Sequence, residues 1–265
     1  RLRLKNANGL LNLDAADWCI SPTRWQAGTV PAAYRSRVSV VHDGIDTPRI
    51  RPDSRARVEL ARARLTLRPG DEVLTFVNRN MEPYRGFHVF MRALPEIQRR
   101  RPNLVTLIVG GDGVSYGKRL PPGETWRQKL LAEVGGHLDM SRLRFVGRIA
   151  YADFLAVLQV SAVHVYLTYP FVLSWSVLEA MAAGCAVVGS ATPPVEEVIS
   201  DGDNGLLVDF FSTRQIADAV DRVLDHPDRM AAMRARARQT IVERYDLASV
   251  CLPRHLALVD ALAAG

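Results

Sequence analysis

VHVYLTYPFVLSWSVLEAMAAGCAVVGS, residues 163–190, is the stretch whose reading decides the fold. It reads as strand, loop, helix, small-residue turn and strand. Val163, Val165 and Leu167 alternate with other side chains, the period of a strand. Tyr169, Pro170 and Phe171 break that pattern, and Pro170 has no N–H to give a sheet. Ser174 is placed to cap a helix through Leu178, Glu179, Ala180, Met181 and Ala182. Ala183 and Gly184 end that helix, and Cys185 to Val188 is a short apolar run suited to a buried strand. A helix starting just after a parallel strand leaves unpaired amides and a positive dipole end at the strand tips, which favours anions. Glu179 falls on the second turn of this helix. An acidic group there can accept both hydroxyls of a ribose while the amides hold phosphates. The plainer alternative is a helix residue favoured only by the dipole.

Working outward, strand and helix patterns alternate on both sides of this unit. Val73–Val77, Leu104–Val109 and Leu143–Val146 are apolar strand runs. Helical patterns run from the loop NRNMEPYRGF to about Arg100, and over Trp126–Val134, Tyr151–Leu158, Ile216–Leu224 and Pro227–Tyr245. Residues 53–68, rich in Arg and Ala, read as an exposed helix. Near the start, Trp18–Ile20 and Arg37–Val41 read as short strands, with Ser21-Pro22 opening a helix between them. VEEVISDGDNGLLVD reads as a short helix, a turn and a strand, and Leu247–Ala264 as a last helix. This alternation predicts an α/β fold with a doubly wound parallel sheet, Rossmann-like, whose ligands bind beyond the carboxyl ends of the strands. The loops 78–86, 110–113, 147–149, 169–174 and 190–194 all follow strands and should converge on one cleft.

Composition narrows the classes. No run approaches the about 18 apolar residues of a membrane span, and no signal peptide is visible, although RLRLK does not look like a native start. Three separated cysteines, Cys19, Cys185 and Cys251, in apolar settings suggest reduced structural thiols and a cytoplasmic protein. The net charge of +6 fits an anionic small molecule, an acidic membrane surface or nucleic acid. Basic residues are scattered, with short clusters such as Arg99–Arg101, and no aromatic-and-basic stripe, so nucleic acid is not an expected partner.

Arg79 and Arg85 flank one strand-to-helix loop, and two guanidinium forks there suit a diphosphate; solvated loop arginines are the plainer alternative. GGDG at 110–113 suggests a tight turn, or a close approach of substrate to the backbone at Gly111, without a full dinucleotide fingerprint. Asp201 and Asp203 have the spacing of a metal pair but lie in DGDNG, which reads as a turn. No His or Cys spacing suggests a metal site. His164 reads as a core residue, and His42 lies in a turn.

These motifs fall in the order of one family. The chain resembles the C-terminal, donor-binding half of family 4 glycosyltransferases of the GT-B fold, over most of residues 17–250. NRNMEPYRGF resembles that family's Gly-Arg-Leu…Lys-Gly loop, with Asn78 for the glycine and Arg85 for the lysine. LIVGGDG, RFVGRI, FVLSWSVLEAMAAGCAVVGS and EEVISDGDNGLLV follow in order. The resemblance implies a retaining transfer of a sugar from a UDP-, GDP- or ADP-sugar, without a metal cofactor, to a glycan or lipid-linked acceptor. By resemblance Arg79 and Arg85 hold the diphosphate and Glu179 binds the ribose. Backbone around Arg148 and Ile149 meets the base, and Phe171, Val172, Leu173, Ser174 and Trp175 face the sugar and phosphates. Two departures stand out. Phe171 occupies the first glutamate of the family's pair with seven residues between, so the carboxylate contact to the donor sugar is missing. Residues 1–45 look like only the tail of an N-terminal acceptor domain and linker, followed by the donor domain over 46–246. The last segment, 247–265, is expected to pack back toward that missing domain. The isolated chain is then expected to bind nucleotide and to transfer sugar poorly. The implied setting is polysaccharide or glycolipid synthesis in the cytoplasm, with the inner membrane face as a peripheral contact. A non-catalytic nucleotide-sugar binding module and a GT-B nucleotide-sugar epimerase are the alternatives.

Overall fold

The computed structural model describes residues 2–60 and 65–264. Its strands are, in chain order, β1 (Cys19–Ser21), β2 (Val38–Val40), β3 (Val58–Leu60), β4 (Leu65–Leu67), β5 (Val73–Asn80), β6 (Val105–Gly111), β7 (Leu143–Gly147), β8 (Val163–Tyr166), β9 (Ala186–Ser190) and β10 (Leu206–Val208). The helices are α1 (Leu2–Ala15), α2 (Arg24–Thr29), α3 (Phe87–Arg100), α4 (Trp126–Val134), α5 (Tyr151–Val160), α6 (Trp175–Ala182), α7 (Pro193–Glu196), α8 (Thr213–Asp225), α9 (Pro227–Tyr245) and α10 (Leu252–Ala263).

Six strands pair in parallel in the order β10-β9-β8-β5-β6-β7. The first strand of the sheet therefore sits in the middle, and the chain winds outward from it in both directions. Alternate residues of β5 feed two cores. Leu74 and Phe76 join Phe87, Phe90, Leu94, Leu130, Ile216 and Val220 beneath α3, α4 and α8. Val73 and Val77 join Val157, Leu158, Val177, Leu178, Ala237 and Ile241 beneath α5, α6 and α9. The doubly wound sheet expected from the alternating pattern is the observed one.

The structure departs from the sequence expectations in several segments. The helix expected over residues 53–68 is a turn followed by β3 and β4, which pair antiparallel; residues 61–64 lie outside the described residues. Leu67 is buried, and Val58, Leu60 and Leu65 pack partly buried against the second core, so tertiary burial overrode the helical propensity of Arg and Ala. Helix α1 was not foreseen. Helix α2 starts at Arg24 rather than at Pro22, because the Thr23 hydroxyl accepts the Gln26 amide at 3.1 Å.

Residues 19–45 and 246–263 are stitched to the sheet domain. The Glu197 carboxylate accepts the Arg24 and Trp25 amides at 2.9 and 2.5 Å and so caps α2 from another element. Ile45 N–H donates to Tyr245 O and Leu247 N–H to Ile45 O, at 2.8 and 2.9 Å. The Thr47 hydroxyl donates to the buried Asp246 carboxylate at 2.5 Å, and Asp246 also accepts the Ser249 amide and hydroxyl. Arg254 and His255 of α10 reach the carbonyls of Val40 and His42.

Candidate functional site

The strand order reverses between β5 and β8, and the crevice beyond their carboxyl ends is where a doubly wound sheet binds ligands. The loop after β5 enters this crevice through Gly86, whose φ is +70°. A Cβ at Gly86 would sit 2.3 Å from Leu167 Cβ, so the close approach of the two loops requires glycine. That approach lodges Arg85 inside. Arg85 is buried, and its Nη1 donates to Tyr166 Oη at 2.9 Å, Thr168 Oγ1 at 3.0 Å and Val172 O at 2.8 Å. The rings of Phe171 and Tyr116 flank its guanidinium, with centroids 5.5 and 5.8 Å from Cζ.

Arg79 and Arg85 do not occupy one loop wall together. Arg79 is exposed on the end of β5 and lines a cleft of about 440 Å³ with Asn78, Gly110, Arg148, Ile149 and Tyr151. Arg85 is not among the residues lining that cleft; it lies beneath the loop leading into α6. The sequence shows the spacing of two arginines, but not that a left-handed glycine turns one of them inward.

The other expected site residues fall around these two. The Asn78 amide donates to Arg85 O at 3.4 Å. Gly110, with φ of +146°, leaves no room for a Cβ, which would meet Asn78 O at 2.1 Å. Gly111 lies beneath Arg148, whose Nε would be 2.8 Å from a Cβ there. Arg148 Nη2 donates to Asn80 Oδ1 at 3.1 Å, which steers this exposed cation over the cleft floor. Ser174 caps α6, its hydroxyl accepting the Ser176 amide at 3.3 Å, while its own amide donates to Tyr166 Oη at 2.9 Å. Leu173 is buried, Phe171 and Val172 are half-buried, and exposed Trp175 donates its indole N–H to Asp43 at 3.0 Å.

Glu179 is 9% exposed, and its Oε1 accepts the Tyr151 hydroxyl at 2.7 Å. Burial pushes the Glu179 pKa up, and the bond from Tyr151 works against that shift. Burial, with the Glu179 contact, pushes the Tyr151 phenol up in turn.

Three contributors escaped the sequence reading. Tyr151 is the first residue of α5, and no spacing marks it. Asn80 bridges Arg148 and Ser115. Glu82 is 1% exposed, and its carboxylate accepts the amides of Ser115, Tyr116 and Gly117, which shapes the loop that carries Tyr116. An acid in a loop read as phosphate-facing was the available signal.

Residues set aside in the sequence reading have structural partners. Asp201 accepts the Leu207 amide at 2.8 Å and Asp203 pairs with Arg236 at 2.6 Å, so DGDNG is a turn. His164 is fully buried, with Nδ1 2.8 Å from Thr75 Oγ1. His42 is buried and accepts the Gly44 amide. Arg100 and Arg101 pair with Asp218, Asp221 and Asp225, tying α3 to α8. The three cysteines are free thiols. Among the described residues there is no group of three metal-ligating side chains, and no helix long and apolar enough to cross a membrane.

The parallel sheet thus reverses at β5 and β8, with guanidinium groups and a nearly buried carboxylate on the segments that follow these strands. Residues 58–240 match the family described as "Glycosyl transferases group 1", and residues 1–50 match "Glycosyl transferase family 4 group". The chain belongs to the group 1 glycosyl transferases. It is similar to proteins named D-inositol 3-phosphate glycosyltransferase. One is from Nocardioides sp., 33% identical over 235 residues that cover 83% of this chain and 49% of the relative. Another is from Nocardia farcinica, 32% identical over 228 residues that cover 84% and 48%. The chain thus spans about half the length of the curated relatives it matches. Among solved structures, sucrose-phosphate synthase from Thermosynechococcus elongatus superposes with a TM-score of 0.78 at 21% identity, covering 100% of this chain and 62% of that one. HepE from Anabaena, in complex with UDP and glucose, superposes with a TM-score of 0.76 at 17% identity, covering 96% and 66%. The fold is that of the C-terminal, Rossmann-like domain of GT-B glycosyltransferases.

Proposed function

We propose that this chain supplies the donor-binding half of a retaining glycosyltransferase that moves a sugar from a nucleotide-diphosphate sugar to a glycan or lipid-linked acceptor. The observation that carries the proposal is the cleft at the carboxyl ends of β5, β6 and β7, where Arg79 and Arg148 face a wall that includes Tyr151, the partner of Glu179. The family supports the same reading, and one solved neighbour holds UDP.

In this reading Glu179 accepts ribose hydroxyls, Ile149 and the backbone beside it meet the base, and Gly111 leaves the space that the Arg148 side chain takes up. Asn78 and Arg79 line the diphosphate path, and Arg85 holds the 171–174 loop from beneath through Val172 O. The amides of Phe171, Val172, Leu173 and Trp175 face phosphate and sugar, while the Ser174 amide is held by Tyr166 Oη. Chemistry requires the glycosidic C–O bond to break as negative charge grows on the departing diphosphate. Cations and amides held in place beforehand stabilise that charge without rearranging. Such a donor set needs no metal, and chelation should leave nucleotide binding unchanged. The acceptor is held by a second wall, for which the rest of a full-length protein is the expected source. The cytoplasm, with the inner membrane face as a peripheral contact, is the proposed place of action.

Calorimetric titration with UDP, GDP and ADP, on the chain and on Glu179→Ala, tests the proposal. Binding of one nucleotide, lost in the variant, supports it and names the base. Equal binding by both proteins would remove Glu179 from the site.

A further inference from the structure

We propose that Tyr151 is a positioning residue for Glu179: its hydroxyl fixes the carboxylate that meets the ribose, and thereby sets how strictly the site demands a ribonucleotide. The inference rests on the donor-site reading above.

Three observations carry it. The Tyr151 hydroxyl donates to Glu179 Oε1 at 2.7 Å, and this is the one hydrogen bond of that carboxylate among the described residues. Tyr151 also lines the cleft, beside Arg148 and Ile149, at the start of α5. Its ring is backed by Arg49, whose Cζ lies 4.8 Å from the ring centroid. A phenol held on α5 therefore meets an acid held on α6 at the wall of the cleft, and the carboxylate is oriented before any ligand arrives.

A carboxylate has about four acceptor sites, and one phenolic O–H leaves room for a sugar hydroxyl. Without that bond the glutamate side chain is free to change rotamer, and a ribose hydroxyl would have to order it. The charged groups facing the pair are Arg49 and Asp46, both from the segment between β2 and β3. Burial raises the pKa of Glu179, and the Tyr151 bond opposes that rise. Removing the hydroxyl while keeping the ring leaves burial unopposed. The carboxylate then takes up its proton at a higher pH.

The test is calorimetric titration of the chain, Tyr151→Phe and Glu179→Gln with UDP, GDP, ADP and the 2′-deoxy form of each, across the acidic and neutral range. The unsubstituted chain should prefer the ribo form by about tenfold, the size expected of a hydrogen bond to a charged group. Tyr151→Phe should still bind, but with the ribo preference reduced to about threefold or less and the loss of binding on acidification moved to higher pH. Glu179→Gln should show no such acidic loss. An unchanged preference and an unchanged pH profile in Tyr151→Phe would overturn the proposal while leaving the donor site standing. Failure of the unsubstituted chain to bind any of the six nucleotides would overturn the donor-site reading itself, and the Tyr151 role with it. Arg49→Gln, which keeps the hydroxyl but frees the ring, is the second variant. It should give an intermediate preference, and it carries the test if Tyr151→Phe fails to fold.

Discussion

Arg85 places a positive charge inside the protein within hydrogen-bond reach of a phenol, a hydroxyl and a carbonyl, all through one nitrogen. Cutting it back removes three hydrogen bonds at once, while Tyr166 Oη keeps the Ser174 amide and the Thr168 hydroxyl keeps Tyr169 O. Arg85→Ala should cost about 2–3 kcal/mol in urea unfolding and raise hydrogen exchange in the 171–174 loop, whose carbonyl at Val172 it holds. His164 makes a second prediction. Burial pushes its pKa down to about 4 from an ordinary 6.5, so the unfolded chain takes up its proton first as pH falls. Stability is complete above about pH 6.5 and declines as pH falls toward 4, by on the order of 3 kcal/mol. Burial also lowers the pKa of His42 and His88, which adds in the same direction. The side-chain bonds from Arg99 and Arg100 hold the Glu96 carboxyl at about 2, so its contribution is lost only at still lower pH. Urea melts at a series of pH values should show the decline, flattened in His164→Gln. At this scale the sequence was partly legible. Helix spacing located Glu179, and strand alternation marked His164 as core. Arg85 and Tyr151 were opaque, because burial of a charge and pairing across two helices depend on contacts distant in the chain.

The loops that build the crevice depend on backbone conformations open chiefly to glycine. Gly86→Ala would force a Cβ to 2.3 Å from Leu167 Cβ at a φ of +70°. Overpacking and backbone strain together predict a loss of about 2–4 kcal/mol, seen as a lower melting temperature. Gly70→Ala is the control: it shares a positive φ but has nothing within 4 Å of the added methyl, so it should cost only about 1 kcal/mol. Periodicity revealed the elements of the parallel sheet because each buries a wide apolar face. It failed at β3 and β4, three-residue strands whose alternation is too short to outweigh a surrounding Arg- and Ala-rich composition.

At the scale of the whole molecule, Asp246 joins the segment that precedes the sheet domain to the one that follows it. It accepts from Thr47 before the sheet and from Ser249 after it, and the adjoining backbone pairs with Ile45. Asp246→Ala should destabilise the protein by about 2–3 kcal/mol and open residues 247–264 to limited proteolysis before the sheet domain is cut. The order β10-β9-β8-β5-β6-β7 also has a consequence for the growing chain. During synthesis β5, β6 and β7 emerge first and can pair, while β8, the other neighbour of β5, is still unmade. Until residues 163–166 leave the ribosome, the edge of β5 through Leu74, Thr75 and Phe76 is an open template for a foreign strand. A nascent chain arrested before residue 163 should therefore aggregate or recruit chaperones, and one arrested after β8 has docked should do so less.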